Sequence, residues 1–368
     1  MGISLIYALN AFLVTALLIT WIRPLAVRFA LVDVPDARKH HEGVVPVCGG
    51  IAMFAAVIVS NLALGFDAAF SPLATLCIGA IAITGFVDDR RQLAAMTRLM
   101  IQSVVATVLV VFCIEGQLHL AAVLPTDLAE YAPAIGSVVA VIFIAGTINA
   151  VNMMDGVDGL AGGYIGLSFF WLALLAQAAG RPEIAAEALM LMAAVIGFLV
   201  FNLRHRWRSR ASVFMGDAGS TMLGAAIAYL LLRLASGSGG LSFPLLLWLV
   251  VVPVTDTLIL MASRIAAGHS PFRPDRRHLH HLLQDRGLSP GQTAALLIAI
   301  SFACGAIAYG GLLLGIPDTV MAFGLLLPVS LHAAFVATRT RRLAPEAQAA
   351  VPPPPLSAKP LDQTPGSA

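Results

Sequence analysis

Charge is the scarcest property of this sequence. Asp, Glu, Lys and Arg make up 11% of its 368 residues, where soluble domains average about 25%. That shortage overrides the length, which would otherwise allow two or three soluble domains. With 59% apolar residues and a mean hydropathy of +0.88, the chain reads as an all-α polytopic membrane protein. A net charge of only +2 gives no basic field, and no nucleic-acid partner is expected. The four cysteines, Cys48, Cys77, Cys113 and Cys304, are scattered in or beside apolar runs without a CxxC pair. A disulfide framework and a zinc knuckle are both excluded on that ground. The N-terminus lacks a basic n-region and a small-residue cleavage site, so an uncleaved first helix is expected. No repeat of the inverted kind found in many transporters is visible.

A helical span needs about 20 mostly apolar residues. Eleven runs qualify or come close: 3–22, 49–66, 72–87, 99–114, 133–151, 160–179, 184–201, 220–235, 241–262, 293–313 and 319–337. An odd number puts the termini on opposite sides. Alternate loops then hold 20 of the 22 basic residues, and only Arg181 and Arg233 fall across the membrane from them. By the positive-inside rule the N-terminus is outside and the C-terminus cytoplasmic. Residues 1–343 are expected to form one integral-membrane domain, followed over 344–368 by a disordered Pro/Ala-rich cytoplasmic tail.

Five polar stretches interrupt the apolar runs, and this topology puts all five on the cytoplasmic side. The centre is NAVNMMDGVDGLAGG at 149–163. Asn149, Asn152, Asp155 and Asp158 sit there between two spans, and an unpaired charge in lipid is expensive. A glycine-rich helix–helix turn explains any one of them; the cluster points to a ligand or a cation. In GFVDDRRQL, Asp88 and Asp89 end a span where the helix dipole disfavours negative charge. Either Arg90 and Arg91 neutralise them, or they serve a metal or act as a base. In VFMGDAGST, Asp217 is either an N-cap or a ligand. In DVPDARKHHEGVVPVCGG, Lys39 and His41 are donors suited to phosphate. In GHSPFRPDRRHLHHLL, His278, His280 and His281 follow Arg273, as a cradle for an anion more than a zinc site. His278 and His281 share a face if the segment is helical, His278 and His280 if it is extended. Asp256, in PVTDTL, is an intramembrane acid near the same face. Carboxylates with arginines, a lysine and histidines at one rim suit magnesium-type chemistry on phosphates. One substrate would be water-soluble and the other a lipid phosphate. A secondary transporter would instead place its ionisable groups near the midplane.

The ordered motifs DVPxxRKxHxGxxPxxGG, GFxDDR, NAxNMxDGxDGL, VFMGDxGS and PFxPDRxHxHHLL resemble those of the polyprenyl-phosphate N-acetylhexosamine-1-phosphate transferases, a resemblance running to about residue 337. The HxHH form is similar to the bacterial GlcNAc-1-phosphate branch that initiates O-antigen, common-antigen and teichoic-acid assembly. The peptidoglycan branch usually has an unbroken HHH, which Leu279 interrupts here. The resemblance implies transfer of GlcNAc-1-phosphate from UDP-GlcNAc to undecaprenyl phosphate with release of UMP, dependent on Mg2+ or Mn2+. It implies a multi-pass protein of the bacterial inner membrane with its active site on the cytoplasmic face. It makes Asp88 the base toward the lipid phosphate, Asp89 its metal-side neighbour and Asp217 a metal ligand. Asn152, Asp155 and Asp158 become nucleotide- and metal-side groups, and His278, His280 and His281 phosphate contacts, with Lys39 and His41 beside them. Gln92 departs from the pattern, standing where relatives often carry an acid. UDP-GalNAc, UDP-QuiNAc and UDP-FucNAc stay open as donors. The sequence is silent on oligomeric state, a homodimer included.

Overall fold

The computed structural model describes residues 2–33, 43–64, 71–114, 116, 130–237, 239–271 and 277–349. Lys39, His41, Arg273 and the tail from 350 onward lie outside the described residues. Among the described residues the chain is helical nearly throughout. In order come α1 (Gly2–Arg28), α2 (Gly49–Leu64), α3 (Pro72–Arg91), α4 (Ala95–Phe112), α5 (Ala132–Met154), α6 (Leu160–Ala178) and α7 (Pro182–Asn202). Then follow α8 (Gly216–Ala235), α9 (Phe243–Leu247), α10 (Val251–Ala266), α11 (Leu279–Gln284), α12 (Pro290–Leu313), α13 (Asp318–Gly324) and α14 (Leu326–Ala349). Two short strands, β1 (Val32–Asp33) and β2 (Val45–Pro46), pair antiparallel between α1 and α2.

Among the described residues nine helical stretches are long and apolar enough to cross a membrane, α13 and the start of α14 counting as one. This is a multi-pass membrane protein. Two of the eleven runs fall short of that measure. One is α2, with 16 residues. The other, 241–262, is not one helix: it breaks into α9 and α10 across a turn at 248–250. Proline explains the break. Pro253 has no N–H to donate to the carbonyl of Leu249, one helical turn back. That carbonyl accepts instead from the hydroxyls of Ser168 (2.9 Å) and Tyr164 (3.3 Å) on α6. A backbone group freed inside a membrane needs such a substitute partner.

The bundle is built around α8, almost every residue of which is buried. It packs against α2, α3 and α5 and touches α6, α7 and α9. Small residues let the backbones meet. A Cβ on Gly50 would lie 2.2 Å from the Gly219 nitrogen, and one on Gly85 would lie 2.4 Å from the Asp217 carbonyl oxygen. Contact this close fixes the axial register of α2 and α3 against α8. The strand and motif backbones continue the link: Phe214 donates to Pro46 (2.9 Å), and Gly49 and Gly50 donate to Phe214 and Met215 (both 3.0 Å).

Candidate active site

The register set by those glycines brings the ends of α3, α5 and α8 together. Asp88 and Asp89 end α3, Asn152 lies in the last turn of α5, and Asp217 lies in the first turn of α8. Asp217 is not an N-cap. The cap position is Met215, which offers no side-chain acceptor. Asp89 supplies the acceptor from the neighbouring helix: its two oxygens accept from the amides of Asp217 (2.9 Å) and Ala218 (3.2 Å). Free N–H groups and the positive helix end favour a carboxylate there. Asp217 is thereby released to use its own carboxylate, Oδ1 of which accepts from Asn152 Nδ2 (2.7 Å). The same amide reaches Ser220 Oγ (3.0 Å).

Asp88 is 5% exposed, and Arg90 and Arg91 do not neutralise it. Arg90 points two residues around the helix and lies over the Phe86 ring, 5.4 Å from its centroid. Arg98 of α4 makes the ion pair with Asp88, and also stands 4.0 Å from Asp217. The other Asp88 oxygen accepts from the Leu93 amide (2.6 Å). The tight turn between α3 and α4 makes this possible. Gln92 closes α3 in the left-handed region, φ 48°, donating its N–H to the Asp88 carbonyl (2.9 Å). A non-glycine residue pays roughly 1–2 kcal/mol for that conformation. Arg98 went unnoticed as a site residue in the sequence, although it lies only ten positions after Asp88.

The turn at 155–159 forms the next wall. Asp155 caps α5. Loss of hydration, then the nearby carboxylates of Asp217, Asp89 and Asp158, push its carboxyl up to about 8. Its side chain is still open to solvent, so water offsets part of the burial and the crowding of acids is the more durable cause. Asp158, near enough to act on Asp155, is itself already partnered. Its Oδ2 accepts from Arg204 Nε (2.8 Å) and the Ala211 amide (2.9 Å), which ties down the 203–211 loop. Buried Asn202 completes the turn, accepting from Gly159 N (2.7 Å) and donating to the Val213 carbonyl (2.9 Å). Asn149 is partnered as well: its amide donates to Gln102 Oε1 of α4 (2.6 Å) and to the Ala145 carbonyl (2.8 Å).

The histidine segment closes over this turn. A Cβ on Gly156 would lie 2.5 Å from His280 Nε2, so only glycine leaves room for the ring. His278 precedes α11 in an extended conformation, and its ring stacks on that of His280 at 5.9 Å with 6° between planes. The His281 ring follows, 4.2 Å from His280. Neither alternative holds for the whole segment: His278 is extended, Leu279 begins α11, and the rings that align across that boundary are those of His278 and His280. Burial, with His281 and His278 as neighbours, pushes His280 down to about 3, so it is a neutral imidazole at ordinary pH. Asp256 lies beneath, and its carboxylate accepts from His278 Nδ1 (2.8 Å), the Leu279 amide (3.0 Å) and His332 Nε2 (3.0 Å).

Asp88, Asp89, Asp155 and Asp217 therefore gather at one end of the bundle, with Arg98 as the cation nearest to two of them. Among the described residues no three His, Cys, Asp or Glu side chains form a ready-made metal cage. Carboxylates in excess, backed by Asn152 and a neutral histidine, are an oxygen-rich set of the kind that suits a hard cation.

The glycosyl transferase family 4 profile matches residues 71–235, the stretch that carries all of these acids. The chain is similar to the undecaprenyl-phosphate alpha-N-acetylglucosaminyl 1-phosphate transferase of Salmonella typhi, 33% identical over 78% of each chain. It is 32% identical to the one of Escherichia coli strain K12, again over 78% of each. For the one of Yersinia pestis the identity is 33%, over 81% of this chain and 82% of the relative. On that likeness, and with the acid cluster inside the matched region, this chain belongs to glycosyl transferase family 4, alongside the undecaprenyl-phosphate N-acetylglucosaminyl 1-phosphate transferases.

Proposed function

We propose that the protein transfers GlcNAc-1-phosphate from UDP-GlcNAc to undecaprenyl phosphate, at the cytoplasmic face of a bacterial inner membrane. The observation that carries this reading is the joining of Asp88, Asp89, Asp217, Asn152 and Arg98 at the ends of four helices, roofed by His280 against Gly156. In the reaction an oxygen of the lipid phosphate forms a bond to the sugar-bearing phosphorus of the donor. The bond from that phosphorus to the UMP oxygen breaks, and UMP leaves with the electron pair. With both phosphates dianionic, charge balances and no net proton is consumed.

Asp217 and Asp89 would hold a divalent cation, Mg2+ or Mn2+, whose chemistry is to neutralise the diphosphate and the charge growing on the leaving phosphate. Asp88, paired with Arg98, faces the lipid side and receives a proton from an acceptor phosphate that arrives protonated. Arg98 in turn offers its guanidinium to phosphate oxygens. Asp155, held near neutrality of charge until a cation or donor arrives, sits beside the nucleotide with Asn152. His278, His280 and His281 would line the donor's phosphates, and the burial of His280 would keep water from competing there. Lys39, His41 and Arg273 are proposed to add donors at the same rim, and the downstream product is a lipid-linked sugar that starts a surface glycan. Asp158 and Asn149 serve this site by holding the 203–211 loop and α4 in place.

The test is UMP release from UDP-GlcNAc by the detergent-solubilised chain with undecaprenyl phosphate and magnesium, run beside UDP-GalNAc, UDP-QuiNAc and UDP-FucNAc. UMP from UDP-GlcNAc in preference to the others is expected. Absence of magnesium-dependent UMP with every donor would overturn the enzyme reading, and preference for another donor would overturn the choice of sugar.

A further inference from the structure

One charged cluster has no part in the chemistry above. Asp256 is buried in α10, and His332 is buried in α14, two helices away in sequence from the histidine segment. The Asp256 carboxylate joins three elements. Oδ2 takes the Nδ1 hydrogen of His278 at 2.8 Å, and Oδ1 takes the Leu279 amide and His332 Nε2, each at 3.0 Å. A carboxylate can only accept, so both imidazoles donate to it. That choice has a consequence for His278. With the proton on Nδ1, Nε2 is left as the acceptor at the far edge of a ring whose face stacks on His280. Asp256 therefore selects the tautomer and the ring plane of His278 together, as a carboxylate behind a histidine does in metal and nucleophile sites.

A separate apolar contact repeats the same connection. Leu260 of α10, Leu282 of α11 and Val336 of α14 form a small buried cluster of their own, outside the main core, with Ile259 and Phe335 packed on it. Arg286 just beyond α11 lies over the Phe335 ring, 4.5 Å from its centroid. The six residues of α11 are too few for a helix to hold itself. Beside its contact with α12, it is held by α10 and α14, through one polar hub and one apolar patch.

We infer that Asp256 and His332 are positioning residues for the donor site: together they hold His278 and the start of α11, so that His280 is kept against Gly156. His332 is the more informative of the two, since it lies far along the chain from every motif of the site. Unlike Asp256, it reaches the histidines only through another side chain. Removing its N–H leaves Asp256 Oδ1 with the Leu279 amide alone, which loosens the carboxylate and the histidine segment with it. This inference rests on the proposed transferase reading for its kinetic consequence, and on geometry alone for its structural one.

The experiment compares the full-length chain with His332→Leu and His332→Gln, the glutamine amide reaching about as far as Nε2. For His332→Leu, the KM for UDP-GlcNAc should rise about tenfold, with the KM for undecaprenyl phosphate unchanged. His332→Gln should return the donor KM to within about twofold of the parent. Hydrogen exchange over 277–286, measured without substrate, should quicken in His332→Leu, the Leu279 amide above all, and recover in His332→Gln. Unchanged donor KM in His332→Leu, or unchanged exchange, would overturn the inference. A loss of folded protein with normal KM in what remains would also overturn it, since that is a purely structural effect. If the parent releases no UMP, the transferase reading fails on its own and exchange still decides whether His332 holds the segment.

Discussion

The two ends of α7 and α8 carry charge in opposite ways. At one end, Asp88, Asp89, Asp155 and Asp217 crowd together, and Arg98 is the cation beside two of them. At the other end, Glu187 of α7, only 3% exposed, meets Arg233 of α8 at 2.5 Å, and Arg181 meets Glu183 at 2.7 Å. Arg233 also lies over the Tyr229 ring, 5.4 Å from its centroid. There the charges cancel pair by pair. Matched charge is a fastening, because each group already has what it needs. Unmatched charge is an opening for a ligand, since the repulsion is relieved only when something positive arrives. Sequence position alone distinguishes neither, for both ends read as polar residues beside apolar runs.

Five variants would break or sharpen that contrast. The largest effect is expected at the crowded end. Asp217→Asn should lower UMP release about a thousandfold, while the unfolding midpoint in detergent stays level or rises, because one repelling charge is gone. A falling midpoint would mean that Asp217 is a structural partner like Glu187. At the matched end the signs reverse. Glu187→Ala leaves Arg233 buried without its partner and should cost about 3 kcal/mol of stability, with kcat in the surviving enzyme unchanged. Replacing both, Glu187→Leu with Arg233→Met, should restore the midpoint most of the way, and failure to do so would show that the pair does more than cancel.

Arg98→Met comes next, with a fall of about a hundredfold in kcat. The acids it leaves uncompensated should bind magnesium more tightly, so the residual activity should saturate at a lower magnesium concentration, which a magnesium titration would read. The smallest effect is one of pH. Asp155 has its carboxyl raised from 3.8 to about 8. Between those values the native chain keeps a proton that the unfolded chain has released, so stability is greatest at the acid side and falls as pH climbs toward about 8. Asp155→Asn should flatten that slope, and saturating magnesium should do the same for the parent. A parent midpoint that rises over this range would contradict the crowding of acids. Because the side chain is open to solvent, the slope is expected to be shallow.

The chain's helices were legible where hydrophobic length alone decides them. Runs such as 160–179 and 184–201 match α6 and α7 to within a few residues, since lipid demands long apolar stretches with their hydrogen bonds made internally. The run 241–262 misled for the same reason: it is apolar enough, but Pro253 breaks it, and the partners for the freed carbonyl come from α6. The acids were legible too, because charge in so apolar a chain is costly and draws the eye. Their partners were not. Adjacent Arg90 and Arg91 were the natural candidates for Asp88, yet a helix turns them elsewhere and Arg98 arrives across the turn closed by Gln92. Asp217 invited reading as a cap, and the cap is Asp89, 128 positions earlier.

Composition and hydropathy by themselves determined that this is a helical membrane protein and which polar stretches interrupt its spans. Those properties are sums over neighbours in the chain, and a bilayer acts on them locally. Only the tertiary structure decided which acid faces which amide, that Asp158 meets Arg204, Asn149 meets Gln102 and Asp217 meets Asn152, and that His332 reaches the histidines through Asp256. Each of these depends on how segments far apart in sequence are set against one another, and for α2 and α3 against α8 glycine contacts set it. No local pattern records how far one helix slides against another.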